Sequence, residues 1–220
     1  MKMSIIYEDN HLLVAFKPAN MPVQADASGD TDLLSELKAY IKQKYQKPGA
    51  VYLGLVHRLD RPVSGLVAFA RTSKAAARLS AQLQSREMGR EYLCVAQGTA
   101  PQSGKAEHYL LKNEKTNTSS VVSPQTPGAK RAKLEFERLG FESGLSLLRV
   151  RLTTGRSHQI RVQMKALGFP LWGDSRYGGG KPGEQLALFA QRLHLRHPVT
   201  GEELRFEAPS PKRFPFSLFP

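Results

Sequence analysis

Residues 132–152, AKLEFERLGFESGLSLLRVRL, alternate apolar and polar side chains through two runs separated by Glu-Ser-Gly. A period of two sends successive side chains to opposite faces of a strand, and a glycine-containing turn between two such runs makes an antiparallel hairpin. Other strand-like runs come in neighbouring groups. SIIYED and HLLVAFKP flank a turn at Asp9-Asn10, SGLVAFAR stands alone, REYLCVAQG and KAEHYLLK follow one another, and QLALFAQRLHL and ELRFEAPS close the chain. Helical spacing is confined to three stretches. TDLLSELKAYIKQKY places Leu33, Leu34, Leu37, Tyr40 and Ile41 on one face, with Asp30 or Thr31 as its expected cap. TSKAAARLSAQLQSR places Ala76, Leu79 and Leu83 together behind Ser73 as cap. SHQIRVQMKALG runs from Ser157 as cap to Gly168 as stop, with Ile160, Met164 and Leu167 as its buried stripe. Strands in adjacent runs with few helices predict an α+β fold with a mixed, mostly antiparallel sheet rather than a regular βαβ array. Residues 113–130 are rich in Ser, Thr, Asn and Pro without periodicity, which predicts a mobile loop, either an arm for a partner or a hairpin connection.

Charge narrows the partners. The chain has 220 residues, with 32 Lys plus Arg against 19 Asp plus Glu, a net charge of +13. Such a surplus suits a polyanion, and nucleic acid is the expected one. Its lone cysteine, Cys94, rules out an internal disulfide or a multi-cysteine zinc site and fits a reducing, cytoplasmic setting. Cys94 itself reads as a small apolar strand residue. The longest apolar runs, LLVAF, LVAFA and LALFA, are too short to span a bilayer, and Glu8 and Asp9 interrupt any signal-peptide core. No association with DNA or membrane is expected. Without a sustained heptad, the expected state is a monomer.

Several enzyme classes fail on spacing. GDSRYGGGKPGEQ is glycine-rich, but no glycine stands five residues before Gly180 and Pro182 follows Lys181 where Ser or Thr is required. The chain has no G-x-G-x-x-G opening a helix, no G-x-S-x-G and no H-E-x-x-H. What remains is acid chemistry. HRLDRPVSG sets Asp60 between Arg58 and Arg61, and Pro62 and Gly65 favour a turn that leaves the acid at a strand end. GREYLCVAQG carries Tyr92. TTGRSHQIRVQM gathers Arg156, His158 and Arg161 around a helix start, whose free N–H groups suit an anion.

These stretches resemble the RluA-type pseudouridine synthases, whose motifs read H-R-L-D-x-x-T/V-S-G, a Lys or Arg then x-Tyr, G-R-x-H-Q-I/L-R and G-D-x-x-Y-G. The chain has HRLDRPVSG, REYLCVAQG, GRSHQIR and GDSRYGG in that order, between an opening IIYEDNHLLVAFKPANMPVQ and a closing LRHPVTGEELRFEAPSP. The resemblance runs from about residue 4 to about residue 210. It implies a pseudouridine synthase fold in two lobes with a central active-site cleft, and isomerisation of uridine to pseudouridine in structured RNA, ribosomal or transfer. By the same resemblance Asp60 is the catalytic aspartate, Tyr92 stacks on the base and assists the late proton loss, and Arg161 pairs with the aspartate. Arg58 fills the space of the flipped nucleotide and Leu188 lines the uracil pocket. No metal or cofactor is implied. Residues 1–220 are expected to form a single catalytic domain that opens directly on the catalytic strands, without a separate N-terminal RNA-binding domain.

Bland readings stand beside these. Asp60 alone reads as a surface ion pair, Tyr92 as a half-buried strand tyrosine and Arg161 as a solvated helix arginine, although the Ile160–Met164 stripe turns it partly inward. His57 and His158 are expected to make structural hydrogen bonds, Lys17-Pro18 to shape a strand end, and Trp172, Asp174 and Tyr177 to brace the site. Two rival functions remain: an RNA binder of the same fold without turnover, and an enzyme that cleaves the base–sugar bond without rejoining it. The latter needs a second carboxylate to position water, for which Asp174 is the candidate.

Overall fold

A computed structural model describes residues 3–178, 180–181 and 183–219. The chain forms two compact units: residues 1–89 with 192–208, and residues 90–191 with 209–220.

The first unit begins with β1 (Ser4–Glu8) and β2 (Leu12–Lys17), an antiparallel pair around the predicted Asp9-Asn10 turn. Asp9 fixes this turn, accepting from the backbone N–H of His11 (2.7 Å) and Leu12 (2.8 Å). Helix α1 (Leu33–Lys44) follows, then the short β3 (Gly54–Leu55), β4 (Ser64–Ala70) and helix α2 (Ser73–Ser85). β2 and β3 both pair antiparallel with β4. β2 is buried along its whole length, and β4 from Gly65 onward. That is why LLVAF and LVAFA lack the alternation of a half-exposed strand. The caps of both helices lie one residue from a predicted position. Asp32, not Asp30 or Thr31, accepts from Ser35 N (3.0 Å), and Thr72, not Ser73, accepts from Ala75 N (3.1 Å). On α2 the buried residues are Ala75 and Leu79, with Ala76 and Leu83 half-buried.

The second unit opens at Arg90 in β5 (Gly89–Gln97) and continues with β6 (Ser103–Asn113), β7 (Thr118–Val122), β8 (Lys130–Glu142) and β9 (Leu145–Leu152). They order as β5-β9-β8-β6-β7, each pair antiparallel, and the predicted hairpin is β8–β9. The expectation of a mobile loop at 113–130 is corrected in favour of the hairpin alternative: Thr118–Val122 forms strand β7 against Tyr109–Asn113. A strand paired on one side makes few demands on composition, so a polar run hides it. Helix α3 (Gln159–Ala166) packs on β6 and β7, where Val162 joins Leu110, Ala132 and Tyr177 in a small apolar cluster.

One face of this sheet is laced with ion pairs. Glu91 takes Arg151 (2.7 Å), Glu135 takes Lys105 (2.8 Å), Glu137 takes Arg149 (3.3 Å), and Glu107 takes both Arg131 (2.5 Å) and Lys133 (2.8 Å). Strand β10 (Leu188–Arg196) is shared, its first four residues in the second unit and the rest in the first. There it pairs antiparallel with β11 (Glu203–Glu207). The α+β class with a largely antiparallel sheet is therefore observed. Among the described residues no helix is long and apolar enough to cross a membrane.

Candidate active site

Asp60 lies in the loop between β3 and β4, half-buried, with buried Leu59 on one side and buried Val63 three residues on. Its carbonyl accepts from Val63 N at 3.0 Å, which closes the turn that Pro62 favours. Arg58 is exposed on the same loop. His57 is buried and its Nε2 accepts from Ala68 N at 3.1 Å, the structural role expected of it.

Lys17 is a residue whose part the sequence understated. It ends the buried β2 and has 0% exposure. Its ammonium donates to the carbonyls of Pro18 (3.0 Å), Met21 (2.7 Å) and Arg61 (3.0 Å). One side chain thus ties the chain after β2 to the backbone of the residue next to Asp60. Burial pulls the Lys17 pKa down to about 7, against the attraction of Asp60 and with the repulsion of Arg61. The available signal was a lone lysine closing an otherwise apolar run. Arg61 itself points outward, paired with Asp30 and, at 3.8 Å, with Asp26.

The second unit holds Tyr92, Arg161 and Leu188. Tyr92 is buried on β5 opposite Val150 of β9, and Leu188 is buried at the start of β10. Arg161 is buried on α3. Its Nε donates to Asp174 Oδ2 (2.8 Å) and its Nη2 to Asp174 Oδ1 (2.7 Å), a bidentate fork. The guanidinium lies over the Tyr177 ring, 4.9 Å from its centroid. Tyr177 in turn accepts from Ser119 N (2.9 Å) and shares a 2.6 Å hydrogen bond with His158 Nδ1. Asp174 and Tyr177 therefore brace Arg161.

Two local features hold this arrangement. Gly173 has φ +71, and a Cβ there would stand 2.5 Å from the Gln185 carbonyl oxygen, so the turn presenting Asp174 needs glycine on both counts. Helix α3 starts at His158, a left-handed residue with φ 54, and not at a Ser157 cap. Gln159 replaces a conventional cap: its Oε1 accepts from Arg156 N (2.9 Å) and Thr154 Oγ1 (2.8 Å), and its Nε2 donates to Lys133 O (3.0 Å). The expected stripe is also corrected. All six residues from Gln159 to Met164 are buried, while Leu167 is half-exposed. Polar residues survive there because Gln163 donates to the carbonyls of Ala106 (3.3 Å) and Ala132 (3.2 Å). Gly168, with φ +86, ends the helix as predicted.

The candidate residues thus fall into two groups. Asp60 and Arg58 share one loop of the first unit, while Tyr92, Arg161 and Leu188 belong to the second. Cys94 is wholly buried on β5, and burial raises its thiol pKa, which makes it a packing residue.

A family model described as RNA pseudouridylate synthase matches residues 11–166. A Bacillus subtilis (strain 168) protein named uncharacterized RNA pseudouridine synthase YhcT is 37% identical over 215 residues, covering 96% of this chain and 69% of the relative. Ribosomal large subunit pseudouridine synthase D of Vibrio vulnificus (strain CMCP6) is 35% identical over 225 residues, covering 95% and 67%. Among solved structures, human RNA Pseudouridylate Synthase Domain Containing 4 superposes with a TM-score of 0.80 at 22% identity, over 97% of this chain and 91% of that one. At that identity the likeness concerns the fold. On the family match and the two sequence relatives, the chain belongs to the RNA pseudouridylate synthase family and is an isomerase of the pseudouridine synthase fold.

Proposed function

We propose that the protein converts uridine to pseudouridine in ribosomal or transfer RNA, with Asp60 as the catalytic carboxylate. The names of relatives such as the Vibrio vulnificus protein favour RNA of the large ribosomal subunit. The observation that carries the assignment is the setting of Asp60. It is half-buried on a loop whose backbone is gripped by the buried ammonium of Lys17, so an acid is set on a held stretch of chain with part of it still reached by solvent.

The reaction breaks the bond from N1 of uracil to C1′ of the ribose, turns the base, joins C5 to C1′ and moves a proton from C5 to solvent as N1 gains one. A carboxylate can start this exchange by attack on C1′, by addition to the base or by taking a proton from C2′. All three routes use one aspartate. The target base must leave its stack to be reached, and stacking on an aromatic ring returns roughly 1–3 kcal/mol. Tyr92 serves as that ring and assists the loss of the C5 proton. Arg161 takes the role of cationic partner that the family resemblance assigns to it, and Asp174 holds its guanidinium in one orientation through the bidentate fork. Arg58, exposed beside Asp60, fills the place of the flipped nucleotide, and Leu188 lines the uracil pocket. The protein acts as a monomer in the cytoplasm, on RNA and not on DNA or membrane.

The rival that only cleaves the base–sugar bond loses support from Asp174. Both oxygens of that carboxylate are bound to Arg161, which leaves it ill-suited to position a hydrolytic water. The test is tritium release from RNA labelled at C5 of uridine. Wild type should release tritium with no free uracil formed, and Asp60→Asn should release none while binding RNA nearly as well. Free uracil would establish the cleaving enzyme. Absence of release by wild type on total ribosomal and transfer RNA from a strain lacking the protein would favour the binder without turnover.

A further inference from the structure

On β5, Arg90 and Tyr92 are two residues apart and so share a face, while Glu91 between them faces the ion-paired side with Arg149 and Arg151. Arg90 differs from those arginines. Among the described residues it has no carboxylate partner, whereas Arg149 and Arg151 pair with glutamates; its Nε, like that of Arg149, is buried without a hydrogen-bond acceptor. Its guanidinium rests against Gly155, in the TTGRS loop that leads to α3. A Cβ at Gly155 would stand 2.7 Å from Nη1, 3.4 Å from Nη2 and 3.5 Å from Cζ of Arg90. The φ of Gly155 lies outside the left-handed range, so the backbone conformation does not demand glycine there. The neighbour that a side chain would meet is Arg90. Gly155 is exposed and Arg90 half-buried, so the glycine leaves the guanidinium approachable from solvent.

A half-buried guanidinium without a protein acceptor has strong reason to take an external anion, since its planar fork matches an oxyanion and its desolvation is otherwise uncompensated. The loop adds donors of the right kind. Neither the backbone N–H of Gly155 nor that of Ser157 has a hydrogen-bond partner among the described residues, and Ser157 contributes a hydroxyl. We infer that Arg90, seated on Gly155, binds a backbone phosphate of the substrate RNA close to the modified nucleotide. The inference rests on the reading of the protein as an RNA-modifying enzyme. It assigns to the basic residue of the Arg-x-Tyr motif a binding role, with Gly155 as the positioning residue.

The test is RNA affinity measured against salt concentration, for wild type, Arg90→Gln, Arg90→Lys and Gly155→Ala, with tritium release by wild type on the same RNA as the control for the underlying reading. Loss of one phosphate contact should weaken binding of Arg90→Gln about tenfold and reduce the slope of log K against log salt by about 0.7 to 0.9. Arg90→Lys should keep most of the slope. Gly155→Ala should weaken binding with an unchanged melting temperature, because the new methyl displaces the end of a flexible side chain. An unchanged slope in Arg90→Gln, whatever its affinity, overturns the phosphate site, as does wild-type affinity in Gly155→Ala. If wild type neither binds RNA nor releases tritium, the reading of the protein as an RNA enzyme fails instead.

Discussion

Lys17 and Arg161 are both buried cations, one in each unit, and they are held by opposite means. Lys17 reaches three backbone carbonyls with a compact ammonium, and its burial lowers its pKa to about 7. Arg161 faces a carboxylate buried to 1% exposure, forks onto both its oxygens and lies on an aromatic ring. The first arrangement suits a tie between loop segments: a small head with rotatable donors gathers carbonyls from different directions. The second suits a charge of fixed direction, because a planar fork held at two points has one orientation. The lysine shapes backbone near Asp60, and the arginine is locked in place within the second unit.

The sharpest break of this contrast is Asp174→Ala. It removes the carboxylate that fixes and offsets a buried guanidinium and should destabilise by about 3–5 kcal/mol, read as a lower urea midpoint. Lys17→Met should cost less, about 2 kcal/mol, since the carbonyls lose a donor while the penalty for burying a charge also disappears. Equal losses in the two variants would show that the devices do not differ as described. Arg161→Lys comes next at about 1–2 kcal/mol, with turnover falling further than stability because the fork cannot be remade from one ammonium. Tyr177→Phe should be the mildest at about 1 kcal/mol, removing the hydroxyl that serves Ser119 and His158 while keeping the ring under Arg161.

Titration separates the two cations further. The folded-state pKa of Lys17 lies near 7, below that of a lysine in the unfolded chain. Between about pH 7 and about pH 10.4 the unfolded chain therefore binds more protons at this position, and stability rises with pH by up to about 1.4 kcal/mol per unit. Below that window the cost of the buried charge is felt in full. Lys17→Met should remove this component, seen as a wild-type-minus-variant stability difference that grows as pH rises. A difference independent of pH would mean that Lys17 is charged throughout the window.

Much of this was legible in the sequence because period and turn chemistry are local. The β8–β9 hairpin, the Asp9-Asn10 turn and the Gly168 stop follow from residues within a few positions of each other. Cap positions were missed by one residue for a related reason. Asp30-Thr31-Asp32 and Thr72-Ser73 each offer neighbouring candidates, and tertiary context selects among them, while α3 starts at His158 with no side-chain cap. The motifs marked Asp60, Tyr92 and Arg161 as candidates, but the grip of Lys17 on Arg61 spans 44 positions and the Arg161–Asp174 fork spans 13. No periodicity encodes such links. Six consecutive buried residues on α3 likewise defeat a stripe argument, because Gln159, Arg161 and Gln163 are polar and each finds a partner outside the helix, on another strand or turn.

The ion-paired face of the second unit's sheet has a consequence for encounter. Lys105, Arg131, Lys133, Arg149 and Arg151 are offset there by Glu91, Glu107, Glu135 and Glu137, so nearly all of the chain's +13 lies elsewhere. An uneven charge distribution exerts torque as well as attraction on an approaching polyanion. Within a Debye length, about 8 Å at physiological ionic strength, the neutralised face is turned away before any atoms touch. Collisions are thus sorted by orientation in advance, and the glutamates of that ladder help to decide which side of the molecule the RNA meets first.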